Sequence, residues 1–203
     1  LLAPCEPTKI VCVGTNYKQV LAAKEKPAPE EPVIFLKPSS AVIGPEDNIF
    51  YPPGVEKLGY EVELAAVIKD TTKNVTQEDA LKHVLGYTIA NDITAKDFMG
   101  KGPWTKGKAF DTFLPLGPCI ATGIDPNNTN LKSRLNGQLT QDANTSDMVF
   151  SVADIIAYVS TIMTLYPGDV IATGTPLGAG LAKPGDVLEL SIEGIGTLRN
   201  QVS

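Results

Sequence analysis

The segment Tyr60-Glu61-Val62-Glu63-Leu64-Ala65-Ala66-Val67-Ile68 joins two acidic residues to an apolar run that predicts a strand. Side chains alternate along a strand, so Glu61 and Glu63 are expected on one face, close enough to share a ligand. Two carboxylates held together repel each other unless a cation lies between them or one of them takes up a proton. The segment therefore indicates either a cation site or, as is common for Glu-x-Glu, the solvated face of an edge strand.

A third carboxylate, Asp92, follows a second predicted strand at Leu85–Ala90. It would join the two glutamates if the strand ends converge, although Asn91-Asp92 is also typical of a turn or a helix cap. Three carboxylates with water completing an octahedron suit Mg²⁺ or Mn²⁺. In a crystal, Ca²⁺ is also expected to be able to occupy such a site. His83 is the only histidine, which excludes sites built from several imidazoles, including most catalytic zinc sites.

Most of the remaining chain predicts strands separated by turns. Runs of β-branched and aliphatic residues predict further strands at Lys9–Gly14, Pro32–Leu36, Asp169–Thr173 and Asp186–Ile192. Two short helices are predicted at Thr76–His83 and Ser151–Met163, because each begins with a hydroxyl residue followed three positions later by an aspartate. The sequence thus predicts a β-rich mixed α+β fold with few short helices.

Turn residues mark the boundaries of these strands. Asn136-Gly137 predicts a type I′ hairpin, and Pro-Gly-Asp occurs at Pro167–Asp169 and at Pro184–Asp186, each time before a predicted strand. The stretch Ala22–Pro32 is rich in Lys, Glu, Pro and Ala, which predicts a mobile surface loop and not a domain boundary. Residues 1–203 are accordingly predicted to form a single domain.

Composition and charge exclude two classes of partner. The net charge of −6, with scattered Lys and Arg, argues against nucleic acid, because phosphate binding needs clustered basic residues. No run of about 18 apolar residues is present, and Pro4 interrupts the apolar start, so neither a membrane segment nor a signal peptide is predicted. Three dispersed cysteines, Cys5, Cys12 and Cys119, suit free thiols in the cytoplasm. The chain begins with Leu, so a preceding segment can be missing.

Six short segments occur in an order that closely resembles the fumarylacetoacetate hydrolase family, in its catalytic, C-terminal domain. They are Val11–Tyr17, Pro32–Pro38, Tyr60–Leu64, Asn91-Asp92, Gly107–Thr112 and Thr173–Pro176. The resemblance runs from about Lys9 to Arg199. It implies a β-roll or sandwich-like fold, a homodimer, and Mg²⁺ or Mn²⁺ held by Glu61, Glu63 and Asp92.

The resemblance also implies roles for residues outside the carboxylate cluster. Lys108 matches the family lysine that contacts substrate oxygens, and Thr175 matches a substrate-binding threonine, which makes both catalytic candidates. Gly174 and Asn16 belong to the same motifs and are assigned to substrate binding with them. Family substrates are small 2-oxo acids and their β-dicarbonyl relatives, whose enolate a chelating metal stabilises, with the charge of Lys108 added at the developing oxyanion. Without the resemblance, Lys108 is typical of a solvated surface lysine.

Four positions depart from that family. Alignment on Asn16-Tyr17 places Val20 and Ala23 where many members carry, on a short lid helix, a His and a Glu that activate the hydrolytic water. Thr15 stands at a frequent arginine, and Met99 at a glutamine of some members. Hydrolysis of a C–C bond needs a general base, which contributes about 10²- to 10⁴-fold, whereas decarboxylation needs mainly an electron sink. The departures therefore favour enolate chemistry over hydrolysis.

The leading hypothesis is a metal-dependent enzyme that acts on a small 2-oxo acid, by oxaloacetate decarboxylation or keto–enol tautomerisation. Family alternatives are an acylpyruvate or fumarylacetoacetate-type C–C hydrolase and a 2-hydroxymuconate-type isomerase. A non-catalytic metal- and ligand-binding member, or a structural Ca²⁺ site on an interaction module, belongs to another class. His83, Glu25 and Glu30 are weaker candidates for the missing base, because His83 fits a surface or packing position and charged loop residues are usually solvated.

Overall fold

The computed structural model describes residues 1–100 and 102–203 of the chain. Its strands are β1 Ile10–Gly14, β2 Val33–Lys37, β3 Val42–Ile43, β4 Asn48–Ile49, β5 Leu58–Gly59, β6 Val62–Ile68, β7 Val84–Asn91, β8 Thr94–Ala95, β9 Leu114–Ala121, β10 Asn130–Leu135, β11 Gln138–Asn144, β12 Val170–Ala172, β13 Leu181–Ala182, β14 Val187–Ile192 and β15 Gly196–Val202. The α-helices are α1 Lys18–Ala23, α2 Gln77–Ala80, α3 Thr105–Lys108 and α4 Val152–Ile162. Single 3₁₀ turns lie at Ser39–Ala41, Leu81–His83, Lys96–Phe98 and Thr145–Asp147.

The largest sheet has seven strands in the order β2-β1-β12-β6-β7-β9-β3. Its middle strand, β6, pairs antiparallel with β12 on one side and with β7 on the other. Every residue of β6 is buried, which accounts for an apolar run that only Glu63 interrupts. At one end of the sheet, β1 pairs in parallel with β12, so Ile10 lies beside Val170 from the distant C-terminal part of the chain.

A second sheet, in the order β11-β10-β14-β15-β4, is mostly antiparallel. Buried and half-buried residues alternate along β14, as expected for a strand with only one covered face. The β10–β11 hairpin turns at Asn136 and Gly137, whose φ angles of +51° and +80° are the positive pair that a type I′ turn requires. The predicted hairpin is confirmed. A third sheet contains the short strands β13, β5 and β8.

Helix α4 begins as predicted. The Ser151 hydroxyl accepts a hydrogen bond from the backbone N–H of Asp154, and the Asp154 carboxylate accepts one from the N–H of Ser151, which completes a capping box. The helix predicted at Thr76–His83 divides into α2, capped by Thr76, and the 3₁₀ turn Leu81–His83 that follows it. Helix α1 lies where the family resemblance implies a short helix, although the residue pattern did not predict one there. Its last residues, 22–23, correct the first two positions of the expected loop Ala22–Pro32.

Most strands begin one or two residues later than predicted, whereas β7 begins one residue earlier, at Val84. Tyr60 and Glu61 lie outside β6, because their N–H groups donate to the Gly180 carbonyl and to the Asn91 side chain and not to a ladder partner. Each Pro-Gly-Asp segment is a turn that ends immediately before β12 or β14, so its aspartate belongs to the turn and not to the strand. In both turns the glycine has a positive φ, +86° at Gly168 and +93° at Gly185.

Asp169 joins the first of these turns to the N-terminal segment. Its carboxylate accepts hydrogen bonds from the backbone of Thr8, Lys9 and Tyr166, from the Thr8 hydroxyl, and from the Lys9 ammonium. Burial by itself would raise the pKa of Asp169, but these donors outweigh it and hold the pKa below its usual value. The carboxylate therefore stabilises the fold in its charged form.

One connected cluster of buried apolar side chains includes residues from β1, β6, β7, β12, β14, β15 and α4. Across residues 1–100 and 102–203, no helix has the length and apolar character needed to cross a bilayer.

Candidate metal centre

The register of β6 and β7 brings the three predicted carboxylates together. Val62 at the start of β6 lies opposite Asn91 at the end of β7, so the residues beside them meet at one edge of the sheet. The N–H of Asp92 donates to the Glu61 carbonyl at 3.0 Å, which fixes the two strand ends. Carboxylate oxygens of Glu61, Glu63 and Asp92 all lie within 4.8 Å of one another.

This set of oxygens fits a hard divalent cation. Burial raises the pKa of Glu63 well above its usual value, and repulsion from Asp92 and Glu61 raises it further. One Glu63 oxygen accepts a hydrogen bond from the Gly174 N–H at 2.9 Å. A bound cation would relieve the repulsion that the three carboxylates impose on one another.

Lys108, the last residue of α3, lies directly against the cluster. Its ammonium group donates to Glu61 at 3.1 Å and to Asp92 over a shorter distance, and it lies 4.9 Å from the centre of the Phe35 ring. Burial by itself would lower the pKa of Lys108, but the carboxylates of Asp92 and Glu61 outweigh it and raise the pKa. Lys108 is therefore a buried cation and not a solvated surface lysine.

Lys37 is a second buried lysine at this centre, and it was not identified from the sequence. The last residue of β2, it donates to the other Asp92 oxygen at 2.5 Å and to the Ile93 carbonyl at 2.8 Å. Its side chain has no exposed surface. Burial would raise the pKa of Asp92, but the two lysines outweigh it and lower the pKa. Two signals were available, a lysine that ends an otherwise apolar strand and its place in the Pro32–Pro38 segment of the family resemblance.

A cavity of about 180 Å³ opens onto the three carboxylates. Apolar and polar residues share its remaining lining. The apolar ones are Val13, Val20, Phe35, Met99 and Trp104, and the polar ones are Thr15, Lys24, Lys108 and Thr175. A larger groove of about 790 Å³ runs along the edge strand β2 and shares Phe35 and Trp104 with this cavity. That groove includes none of the carboxylates, so the smaller cavity is the candidate site.

The Thr173–Pro176 loop closes one side of the cavity. Thr175 lines it, while the Thr175 hydroxyl donates to the Val62 carbonyl and accepts from the side chain of Gln141. Gly174 contacts the cluster through its N–H and has a φ of +93°, which favours glycine. Gln141, buried on β11, also accepts from the N–H of Val62, a connection that the sequence did not predict.

The bonds of Asn16 indicate a different role from the substrate binding that the resemblance implied. It is fully buried, and both N–H groups of its amide donate to backbone carbonyls, those of Phe150 and Thr173, while its oxygen accepts from the N–H of Phe150. No amide N–H is left for a substrate, because the side chain instead fixes the loop that contains Gly174. Its assignment to substrate binding is corrected to positioning of this loop.

The weaker base candidates do not reach the cavity. His83 bonds to Asp70 at 2.5 Å, and neither Glu25 nor Glu30 lines the cavity. Val20, on α1, does line it and presents an apolar side chain there. In the described part of the chain, no imidazole faces the carboxylate cluster.

Fold and cavity together define a class, a β-rich protein whose buried acidic centre faces a space for a small molecule. The family model for the C-terminal domain of fumarylacetoacetate hydrolase matches residues 9–203. The chain belongs to the fumarylacetoacetate hydrolase family.

Named relatives have several activities. The mitochondrial oxaloacetate tautomerase FAHD2B of Bos taurus is 45% identical over 215 residues, which cover 99% of this chain and 68% of that protein. The crystal structure of 2-hydroxyhepta-2,4-diene-1,7-dioate isomerase from Mycobacterium marinum superposes with a TM-score of 0.93 at 45% identity, over 100% of this chain and 77% of that one. The structure of fumarylpyruvate hydrolase from Pseudomonas aeruginosa, solved with Mn²⁺ and pyruvate, superposes with a TM-score of 0.91 at 32% identity, over 97% of this chain and 89% of that one.

These similarities confirm the predicted family and its type of β-rich fold. They also confirm that the chain is an enzyme of this family, whose relatives include a tautomerase, an isomerase and a hydrolase. The acidic triad and the Mn²⁺ complex of one relative support the predicted metal dependence.

Proposed function

We propose that this chain is a divalent-metal-dependent enzyme that interconverts the enol and keto forms of a compact 2-oxo acid such as oxaloacetate. Val20 carries this proposal, because an apolar side chain faces the acidic cluster from the helix where hydrolytic relatives are expected to hold a base. The cavity of about 180 Å³ also falls below the roughly 300–1,000 Å³ of sites for larger ligands. The similarity to an oxaloacetate tautomerase supports the same reaction.

Each part of the cavity has a task in this reaction. Mg²⁺ or Mn²⁺ held by Glu61, Glu63 and Asp92 would supply a Lewis acid that withdraws electrons from the 2-oxo group. Lys108 holds a proton at Nζ beside Glu61, where it can donate a hydrogen bond to an oxygen that gains negative charge as the C3 proton passes to solvent. This transfer needs only a weak base once the 2-oxo group is polarised, so it does not require a positioned side chain. Apolar lining residues such as Val20 carry no group that could activate a water molecule for attack on the enolate.

C–C hydrolysis requires more than this cavity offers. A water molecule must be deprotonated as it attacks, and a positioned base contributes about 10²- to 10⁴-fold to that step. Within the described lining, the side chains that carry charge are the three carboxylates, Lys24 and Lys108. The carboxylates are assigned to the metal, which leaves two ammonium groups and no base for water.

The test follows the loss of oxaloacetate enol absorbance in Mg²⁺, with pyruvate formation measured in parallel to separate tautomerisation from decarboxylation. Wild type is expected to accelerate the absorbance change, and Lys108→Met to lower kcat by about 10²-fold. Lys106→Met, on the same short helix but outside the cavity, is the matched control. Rapid hydrolysis of acylpyruvates without any effect on oxaloacetate would overturn the proposal.

Four further assignments belong to this proposal. We propose Mg²⁺ as the resident ion with Mn²⁺ as its substitute, a homodimer in solution, a single folding domain over residues 1–203, and the cytoplasm as compartment. Three oxygen ligands support the ion, and the free thiols of Cys5, Cys12 and Cys119 support a reducing compartment. Light scattering after gel filtration tests the dimer, which a monomeric mass would contradict.

A further inference from the structure

Lys24 and Thr15 are polar residues of the cavity lining, and in the described part of the chain neither side chain bonds to Glu61, Glu63 or Asp92. Lys24 follows the last residue of α1, and Thr15 follows β1. In residues 1–100 and 102–203, the ammonium of Lys24 forms no ion pair. The other lysine of the lining, Lys108, donates to Glu61 and Asp92, and the proposed function assigns its third donor to the oxygen of the 2-oxo group. Lys24 is therefore the cation of the cavity that is free to meet a ligand.

Thr15 has a backbone conformation that requires an explanation. Its φ is +39°, in the left-handed region that β-branched residues rarely adopt. Such strain persists only where the surrounding structure imposes it, and it is concentrated at ligand sites. Thr15 lines the cavity, and its hydroxyl group is a hydrogen-bond donor available to a ligand there.

We propose that Lys24 and Thr15 bind the distal carboxylate of a dicarboxylic 2-oxo acid, and so select such acids over monocarboxylic ones. This inference rests on the proposed function for the position of the 2-oxo group at the acidic cluster. A second carboxylate cannot face that cluster without repulsion, and apolar lining residues such as Val20 offer it no hydrogen bond. An ammonium and a hydroxyl group supply the charge and the donors that a carboxylate needs.

The experiment compares two ligand pairs that differ only in the distal carboxylate. Turnover is measured with oxaloacetate and, through deuterium exchange at C3, with 2-oxobutanoate. Binding is measured calorimetrically in Mg²⁺ with malate and 2-hydroxybutanoate, which cannot enolise. The variants are Lys24→Met, Lys24→Arg and Thr15→Val, with Lys26→Met as the matched control because Lys26 is a nearby exposed lysine outside the cavity lining.

Lys24→Met is expected to raise KM for oxaloacetate and Kd for malate about three- to tenfold, as fits a partly exposed ion pair. Values for 2-oxobutanoate and 2-hydroxybutanoate should stay the same, and Lys24→Arg should restore the preference. Equal losses for both members of a pair, or no change in Lys24→Met, would overturn the inference. Failure of turnover together with a malate preference that depends on Lys24 would refute the proposed reaction and support the carboxylate site.

Discussion

Replacing Lys37 by methionine tests the buried charge network under the acidic cluster. Methionine keeps the length and apolar stem of lysine, so the packing changes little while the ammonium group is lost. Asp92 then retains Lys108 as its ion-pair partner, and the Ile93 carbonyl loses the donor at 2.8 Å. The variant therefore removes charge from a site where the Lys37 side chain has no contact with solvent.

The expected cost is large because one partner of a buried pair stays behind. Removal of a single partner from a buried ion pair costs about 3–5 kcal/mol of unfolding free energy. The Ile93 carbonyl without its donor accounts for about 1–3 kcal/mol of that loss. For a chain of this size the change corresponds to a fall of roughly 6–20 °C in Tm. Lys108 holds Asp92 from the other side, which places the expected value near the lower end.

Urea unfolding and calorimetry of the metal-free protein measure this loss. Lys132→Met is the matched control, a strand lysine paired with Asp142 at 3.3 Å in which both side chains are about half exposed. It should change the free energy of unfolding by no more than about 1 kcal/mol. The double variant Lys37→Met with Asp92→Asn should be less destabilised than the sum of the single variants. A loss in Lys37→Met equal to that of the control, or additive single effects, would refute this reasoning.

Three other substitutions test separate parts of the account. Asp169→Asn should destabilise the protein by about 1.5–3 kcal/mol at pH 7. Because the folded-state pKa of Asp169 is lowered, the contribution of its carboxylate to stability is complete above the unfolded pKa near 3.9 and is lost as the pH falls through the folded pKa. Urea unfolding should therefore show a smaller difference in unfolding free energy between wild type and variant at pH 3 than at pH 7. Gly174→Ala places a Cβ 3.0 Å from the Cβ of Asn16, at a residue whose φ is +93°. The variant should lose about 1–3 kcal/mol of unfolding free energy and bind Mn²⁺ more weakly, and an unchanged Tm would contradict this. Ser151→Ala should cost about 1 kcal/mol through the lost cap while kcat stays at the wild-type value, so a fall in kcat would show a coupling to the site that the structure does not contain.

Features that depend on adjacent residues could be predicted from the sequence. The capping box of Ser151 and Asp154 and the Asn136-Gly137 hairpin each involve groups within a few positions of one another, so their local pattern determines them. Strand alternation predicted the convergence of Glu61 and Glu63, although Glu61 itself lies just before β6. The position of Asp92 beside them depends on the register of β6 against β7. The sequence left Asp92 either as a third ligand or as part of an ordinary turn or helix cap.

Features that depend on distant residues could not be predicted in the same way. A lysine at the end of a strand is usually exposed, and Lys37 is buried because Asp92, 55 positions later, provides its partner. Asn16 was assigned through its motif, and its true contacts, with Phe150 and Thr173, exist only in the folded chain. Helix α1 is six residues long, too short for apolar periodicity to indicate it.

A titration with Mn²⁺, followed by electron paramagnetic resonance, tests most directly whether the carboxylate cluster is a metal centre. Wild type should bind one Mn²⁺ per chain, and Mg²⁺ should displace it. Glu63→Gln should weaken this binding at least about tenfold, because it removes one of three charged ligands. Glu78→Gln, at an exposed position of α2, is the control and should bind as wild type does. Equal Mn²⁺ affinity in wild type and Glu63→Gln would contradict the central claim.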